Sequence, residues 1–270
     1  MALKKWDSLP ERMRTPEVKP YYDSLSRRRA GLALKRIFDL VMSVLLIIIL
    51  SPAMLVIAVA VALDSPGGVF YRQRRVTTYG KEFRIFKFRT MRSDADRIGP
   101  AVTSGEDARI TRVGKVLRGC RLDELPQLFN VFCGDMSFVG TRPEVAKFVD
   151  RYTPEMYATL LMPAGITSEA SIRFKDEAQM FDGSGDPEAD YVNILLPKKM
   201  VYNLASVMNF SPAAELRTMV RTVLAVAGKD YSPDAAADDS RKQAGKCPSR
   251  AEYGSPPCRG LLCPSRRSCF

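Results

Sequence analysis

Residues 40–63 carry no charge, and the polar pattern on both sides of that apolar run is dense with arginine and lysine. A helix of roughly 20 apolar residues reaches across a bilayer, so the run is long enough to enter one. Arg27, Arg28, Arg29, Lys35 and Arg36 precede it; Arg72, Arg74, Arg75, Lys81, Arg84, Lys87 and Arg89 follow it. Basic residues beside a membrane segment stay cytoplasmic, so a simple spanning helix would leave one cluster on the wrong side. A re-entrant helix-break-helix removes the conflict. Ser51-Pro52 stands near the middle, where proline lacks an N–H and its ring meets the carbonyl of Ile48, predicting a sharp bend. The Ser51 hydroxyl is placed to satisfy a backbone group freed there, which is costly to leave unpaired in hydrocarbon. Two alternatives compete. A kinked helix that still spans is one. A signal peptide cleaved after Ala58-Val59-Ala60 is the other, although its apolar core is about 7 to 15 residues, shorter than this run.

Elsewhere the pattern is weaker. Residues 1–26 mix charge and proline without a period and read as a loosely ordered or peripheral arm. Residues 69–76 and 83–89, rich in aromatic and β-branched side chains, predict a hairpin joined by Thr77-Thr78-Tyr79-Gly80. Helical spacing returns after Ile110, with Val113 and Leu117 on one stripe, and further helices are predicted over 145–152, 191–207 and 212–226. The last has Pro212 in its first position after Ser211. From Asp230 onward apolar periodicity stops, which predicts disorder. The expected fold is mostly α with a small β-hairpin (α+β), carrying a re-entrant membrane helix-break-helix and amphipathic interfacial helices. Its expected parts are a basic arm (1–34), the membrane hairpin (35–64), a catalytic domain (65–229) and a tail (230–270).

Composition narrows the chemistry. The 270 residues include 41 Lys and Arg against 30 Asp and Glu, a net charge of +11 that attracts polyanions such as nucleic acid, anionic lipid or phosphorylated substrates. The chain has no histidine, which excludes Ser-His-Asp triads, histidine metal sites and imidazole acid–base catalysis. Its six cysteines form no C-x-x-C pair, so neither a zinc cage nor a thioredoxin-like motif is indicated.

The stretch from Arg118 to Val131 holds the candidate chemistry. Pro126 is tolerated only in a first helical turn, which predicts a helix beginning near Asp123 with Asp123 as its N-cap. Leu125, Leu128, Phe129 and Phe132 would bury one face and hold Asp123 and Glu124 at an exposed helix start. Such a start favours anions, and Arg118 and Arg121 add charge beside it. An ionised aspartate held there can attack phosphorus, while a neighbouring carboxylate helps hold Mg²⁺ against a pyrophosphate. Plain helix caps use the same residues, and spacing alone leaves both roles open. Downstream, the glycine-punctuated segment 134–144 delivers Arg142, whose fork fits either a phosphate or a structural salt bridge.

The ordered motifs are more specific than any one of them. Lys35-Arg36 and Asp39, the run with Ser51-Pro52, Asp64-Ser65-Pro66-Gly67, Phe70-Tyr71-Arg72-Gln73, Phe86-Lys87-Phe88-Arg89-Thr90-Met91, Ile110-Thr111-Arg112-Val113-Gly114-Lys115, Leu122-Asp123-Glu124-Leu125-Pro126-Gln127-Leu128 and Arg142-Pro143-Glu144 follow in sequence. Together they resemble the monotopic bacterial sugar transferase family, in its compact form, from about Lys35 to near Gly228. The resemblance implies that Asp123 attacks the β-phosphate of a UDP-sugar, that UMP leaves, and that the sugar phosphate passes to undecaprenyl phosphate. It implies Glu124 as dyad partner, Mg²⁺ as cofactor held by Asp123 and Glu124, and Lys87, Arg89, Arg118 and Arg142 as phosphate-facing cations. It also implies the re-entrant hairpin broken at Ser51 and Pro52, contact with membrane lipid, and a catalytic domain on the cytoplasmic face of a bacterial inner membrane. A homodimer is compatible with it, and the product would prime exopolysaccharide, O-antigen, capsule or protein glycans.

Three departures stand out. Thr141 replaces the proline that often precedes the motif arginine, residues 169–175 depart from the Gln and Asn-Gly-Arg that many relatives carry there, and Thr77 replaces a hairpin glycine. A non-enzymatic membrane adaptor is the alternative function, and it leaves the spacing of Asp123-Glu124 and Arg142 unexplained. Nucleic-acid binding rests on charge alone, with no recognition module in the sequence, and is not expected. A lipid phosphatase could also use an aspartate nucleophile; UMP release separates the two.

Overall fold

The computed structural model describes residues 1–92, 95, 107–174 and 187–226. After α1 (Lys19–Ser26), the 36-residue α2 (Arg29–Asp64) provides the surface on which the other elements assemble. Pro52 lies inside α2 and the helical run continues through it. The Ser51 hydroxyl donates to the Ile48 carbonyl at 2.8 Å, the acceptor that proline at position 52 cannot serve. Helical hydrogen bonding thus persists across the expected break, where a side chain supplies one bond that the backbone lacks.

The hairpin forms as expected. β1 (Phe70–Val76) pairs antiparallel with β2 (Glu82–Phe88), from Phe70↔Phe88 to Val76↔Glu82. Thr77 begins the turn and is buried, its hydroxyl donating to the Asp135 carbonyl at 2.7 Å and accepting from the Ala164 N–H at 3.1 Å. A glycine there would supply neither bond. α3 (Arg112–Gly119) is capped by Thr111, which accepts from the Gly114 N–H, and α4 (Gln127–Cys133) follows. β3 (Met136–Val139) and β4 (Ala164–Thr167) pair in parallel, a four-residue ladder joined over a long connection that includes the short α5 (Ala146–Val149). Within β4, a Cβ on Gly165 would fall 2.1 Å from the Gly140 nitrogen, so only glycine permits this approach. α6 (Glu169–Arg173), α7 (Pro187–Asp190), α8 (Leu196–Met208) and α9 (Pro212–Val226) are the last helices among the described residues, with a π turn, Tyr191–Leu195, leading into α8. Helix 145–152 is thus reduced to four residues, and helix 191–207 starts regularly only at Leu196. The tail from residue 230 and the end of the 165–175 loop lie outside the described residues.

The N-terminal segment departs most from expectation. Leu3, Leu9, Met13, Val18, Tyr22 and Leu25 are buried in one cluster with Ala158, Leu161, Met200 and Phe210, so residues 1–26 are anchored to the core rather than a loose arm. Two 3-10 turns, Trp6–Ser8 and Glu11–Met13, and α1 each contribute a few side chains, which is why no single period announces them.

α2 touches this body along its length. Met42, Leu46, Ile47 and Leu50 pack on Phe83, Ile85, Leu128, Val131 and Phe138, while Met54 and Val61 pack with Phe88 and Leu117. Near its start Lys35 donates to the Val139 carbonyl at 2.8 Å and to Glu215 at 2.6 Å, and Asp39 accepts from the Phe138 N–H at 3.2 Å. Arg36 donates to the Val131 and Phe132 carbonyls, closing the last turn of α4. At its other end Asp64 accepts from the Val113 N–H at 2.9 Å. The opposite face of α2 exposes Leu34, Ile37, Val41, Ile48, Ile49, Leu55, Val56 and Leu63. By length and composition α2 is apolar enough to cross a membrane.

Candidate active site

The candidate site is built on the link between α3 and α4. Arg121 adopts a left-handed conformation (φ 54°), turning the chain out of α3, and Leu122–Glu124 form one 3-10 turn. Pro126 occupies the N-cap of α4. Asp123 is therefore not that helix's N-cap, as the sequence pattern suggested; it sits one turn earlier, on a short link fixed at both ends.

Asn130, buried on α4, accepts from the Phe86 N–H and donates to the Arg84 carbonyl, both at 2.9 Å. This pins β2 to α4 and sets Lys87 beside the dyad. Lys87 Nζ lies 2.7 Å from Glu124 Oε1, and Arg142 Nη2 reaches the same oxygen at 3.2 Å. Burial alone would push the Glu124 carboxyl up, but Arg142 and Lys87 outweigh it and hold it at about 2. Asp123 differs. Half-buried, it has no ion-pair partner among the described residues, and burial raises its carboxyl above the ordinary aspartate range despite the nearby charges of Lys87 and Arg118.

The other cations are positioned by hydrogen bonds to neighbouring loops. Arg118 Nε donates to the Thr90 hydroxyl at 2.9 Å, while the Thr90 carbonyl accepts from the Thr111 N–H at 3.0 Å. A Cβ on Gly114 would stand 2.1 Å from that carbonyl oxygen, so glycine is required there. Arg89 is buried and donates to the Pro66 carbonyl at 3.0 Å and the Ser65 carbonyl at 2.6 Å, holding the loop that leaves α2. Arg142 projects from a segment held on both sides: Arg75 donates to the Pro143 carbonyl at 3.0 Å, Val76 N–H to Glu144, and Gly165 N–H to Thr141. The Thr141 turn is thus tied down without its proline.

Asp123, Glu124, Lys87, Arg89, Arg118 and Arg142 all line one cavity of about 1220 Å³, which Ser51 and Pro52 do not line although Leu50 does. Two contributions escaped the sequence reading. Tyr71, Gln73 and Arg75 line the same cavity from β1, and their alternation with exposed Phe70, Arg72 and Arg74 is the period-2 signal that would have found them. Arg109 lines it too, paired with Asp107 at 2.6 Å.

Among the described residues no group of three or more His, Cys, Asp or Glu gathers to hold a metal. Two adjacent carboxylates suit Mg²⁺, which commonly binds through one or two carboxylates plus substrate phosphates and water, better than a metal caged by protein alone.

A family model described as bacterial sugar transferase matches residues 30–229. The chain is similar, at 44% identity over 52% of its length and 34% of the relative's, to a UDP-N-acetylgalactosamine-undecaprenyl-phosphate N-acetylgalactosaminephosphotransferase of Aeromonas hydrophila. It is 42% identical, over 52% of its length and 53% of the relative's, to a UDP-glucose:undecaprenyl-phosphate glucose-1-phosphate transferase of Caulobacter vibrioides. With an exopolysaccharide production protein of Rhizobium leguminosarum it shares 40% identity over 53% of its length and 74% of the relative's. The matches thus span from about a third to three quarters of these relatives.

Proposed function

The chain belongs to the bacterial sugar transferase family, and from that premise we propose that it transfers a sugar 1-phosphate from a UDP-sugar to undecaprenyl phosphate, releasing UMP. The observation that carries the reading is the asymmetry of the dyad. Glu124 is clamped by two cations, while its neighbour Asp123 faces the same cavity without an ion-pair partner among the described residues.

In the proposed reaction an Asp123 carboxylate oxygen attacks the β-phosphorus, and the bond from that phosphorus to the oxygen leaving with UMP breaks. A phosphate oxygen of the acceptor then attacks the aspartyl phosphorus, Asp123 departs as carboxylate, and a polyprenyl diphosphate sugar results. Lys87, Arg118 and Arg142 line the cavity beside Asp123 and offset the charge that collects on the phosphoryl oxygens. Glu124 keeps Lys87 and Arg142 in place. Mg²⁺, held by Asp123 and Glu124, would supply further neutralisation of the pyrophosphate.

The proposed setting is the cytoplasmic face of the bacterial inner membrane, with α2 dipping into the bilayer, bent at Ser51-Pro52, and both of its ends on the cytoplasmic side. Support comes from its two ends, since Lys35 and Asp39 at one and Asp64 at the other bond to the same body. Single cysteines introduced before Arg36 and after Ser65 should react with a membrane-impermeant thiol reagent from the same side; labelling from opposite sides contradicts this placement.

The reaction is tested by UMP release from a panel that includes UDP-glucose and UDP-N-acetylgalactosamine, using detergent-extracted protein, Mg²⁺ and undecaprenyl phosphate. Carrier-dependent release that Asp123→Asn abolishes is expected. Release unaffected by the substitution, or none from any donor, contradicts the proposal.

A further inference from the structure

The cavity has walls of two unlike kinds. Around the dyad it is cationic, but Leu46 and Leu50 of α2, Ile166 of β4, Ile172 of α6 and Ala225 of α9 line it as well. Thr167 and Thr222 also face it, yet their hydroxyls bond to each other at 2.7 Å, and Thr222 bonds onward to the Thr218 carbonyl at 2.8 Å. This wall therefore asks no polar group of a ligand.

The two helices that supply it carry apolar surface outward. Leu45, Ile48 and Ile49 are exposed on α2, and Val220, Val223 and Leu224 on α9. The two helices that line one side of the cavity are therefore apolar on their outer faces as well, while the opposite wall is cationic. At about 1220 Å³ the cavity also exceeds the range of roughly 300 to 1,000 Å³ usual for small-ligand sites, leaving room beyond one polar ligand.

On the transferase reading above, we propose that the hydrocarbon chain of the polyprenyl phosphate acceptor enters between α2 and α9, with its first isoprene units against Leu50 and Ala225 and its phosphate toward Lys87 and Arg118. Charge and polarity select this occupant. A nucleotide sugar is polar throughout and matches only the cationic wall, whereas the acceptor joins an anionic head to an apolar tail in the order the cavity presents. Leu50 and Ala225 are acceptor-positioning residues here; neither takes part in bond making.

A polyprenyl phosphate carrying a diazirine in its first isoprene units tests this on the full chain. Photolysis should label peptides containing Leu50 and Ala225, in wild type and in Asp123→Asn alike; labelling elsewhere overturns the assignment. Kinetically, Ala225→Trp should raise the KM for long-chain acceptor about tenfold while moving the KM for UDP-sugar less than about twofold. Leu50→Ala, which removes volume instead of adding it, should act on the same constant and covers the case in which the tryptophan variant fails to fold. Equal changes in both constants, or none in either variant, overturn the portal. Wild type that turns over while labelling elsewhere refutes the portal alone; wild type that releases no UMP from any donor refutes the transferase reading and the portal with it.

Discussion

Glu124 Oε1 accepts from Lys87 Nζ at 2.7 Å, a contact that sets it apart from its neighbour Asp123, which has no ion-pair partner among the described residues. With Arg142 on the same oxygen at 3.2 Å, Glu124 Oε1 is shared by two cations, and on the proposed mechanism Asp123 is the carboxylate that reacts. Glu124→Gln keeps the shape and removes the charge. It should lower kcat/KM by about a hundredfold, the scale of losing one preorganised charge-stabilising group. Steady-state kinetics with UDP-sugar varied checks it, and a change below about threefold would show that the clamp is dispensable.

The pH profile tests the electrostatics with opposite signs. Burial lifts the Asp123 carboxyl, Lys87 pulls it down and Glu124 pushes it up, so the acid limb of kcat/KM should lie above the ordinary aspartate value of 3.8. On the proposed mechanism the reaction needs the ionised form, so activity should be lost as pH falls through that limb. Lys87→Gln should move the limb to higher pH and Glu124→Gln to lower pH. Both limbs moving the same way would refute the assignment.

Lys35 and Glu215 form a buried pair at 2.6 Å, with side chains 1% and 16% exposed. Removing one member strands the other, at a cost of about 3 kcal/mol or more. Lys35→Met should lower the denaturation midpoint by that equivalent, and adding Glu215→Leu should restore most of it. An additive double variant would show that the two side chains do not depend on each other.

Gly114→Ala puts a methyl group 2.1 Å from the Thr90 carbonyl oxygen. Because Thr90 also anchors Arg118, the shift it forces should weaken phosphate binding, raising the KM for UDP-sugar more than it lowers kcat. Unchanged KM with lower stability would make the glycine purely structural.

The sequence revealed local features and missed those made at a distance. The hairpin, the Thr111-capped helix, the Pro212 helix start and the Ser51 hydroxyl serving Ile48 each follow from a few neighbouring residues. The four-residue parallel ladder of Met136–Val139 with Ala164–Thr167 depends on a pairing that no local pattern marks. Leu3, Leu9 and Met13 looked peripheral because short turns, not one periodic element, bring them to the core. The dyad was legible as a motif, yet its geometry was not: Arg121's positive φ and Asn130's grip on β2 place Asp123 ahead of the helix rather than on its cap. Arg89 shows the same limit, since its fork serves the Ser65 and Pro66 carbonyls, which only the folded chain brings near.

The most direct test of Asp123 as nucleophile is intact-mass measurement of the protein mixed with its UDP-sugar and Mg²⁺ and no acceptor, quenched in acid. The account predicts an adduct of one sugar phosphate that maps to the peptide containing Asp123, disappears on adding undecaprenyl phosphate and never forms in Asp123→Asn. UMP release without any such adduct, or an adduct that survives in Asp123→Asn, would contradict it.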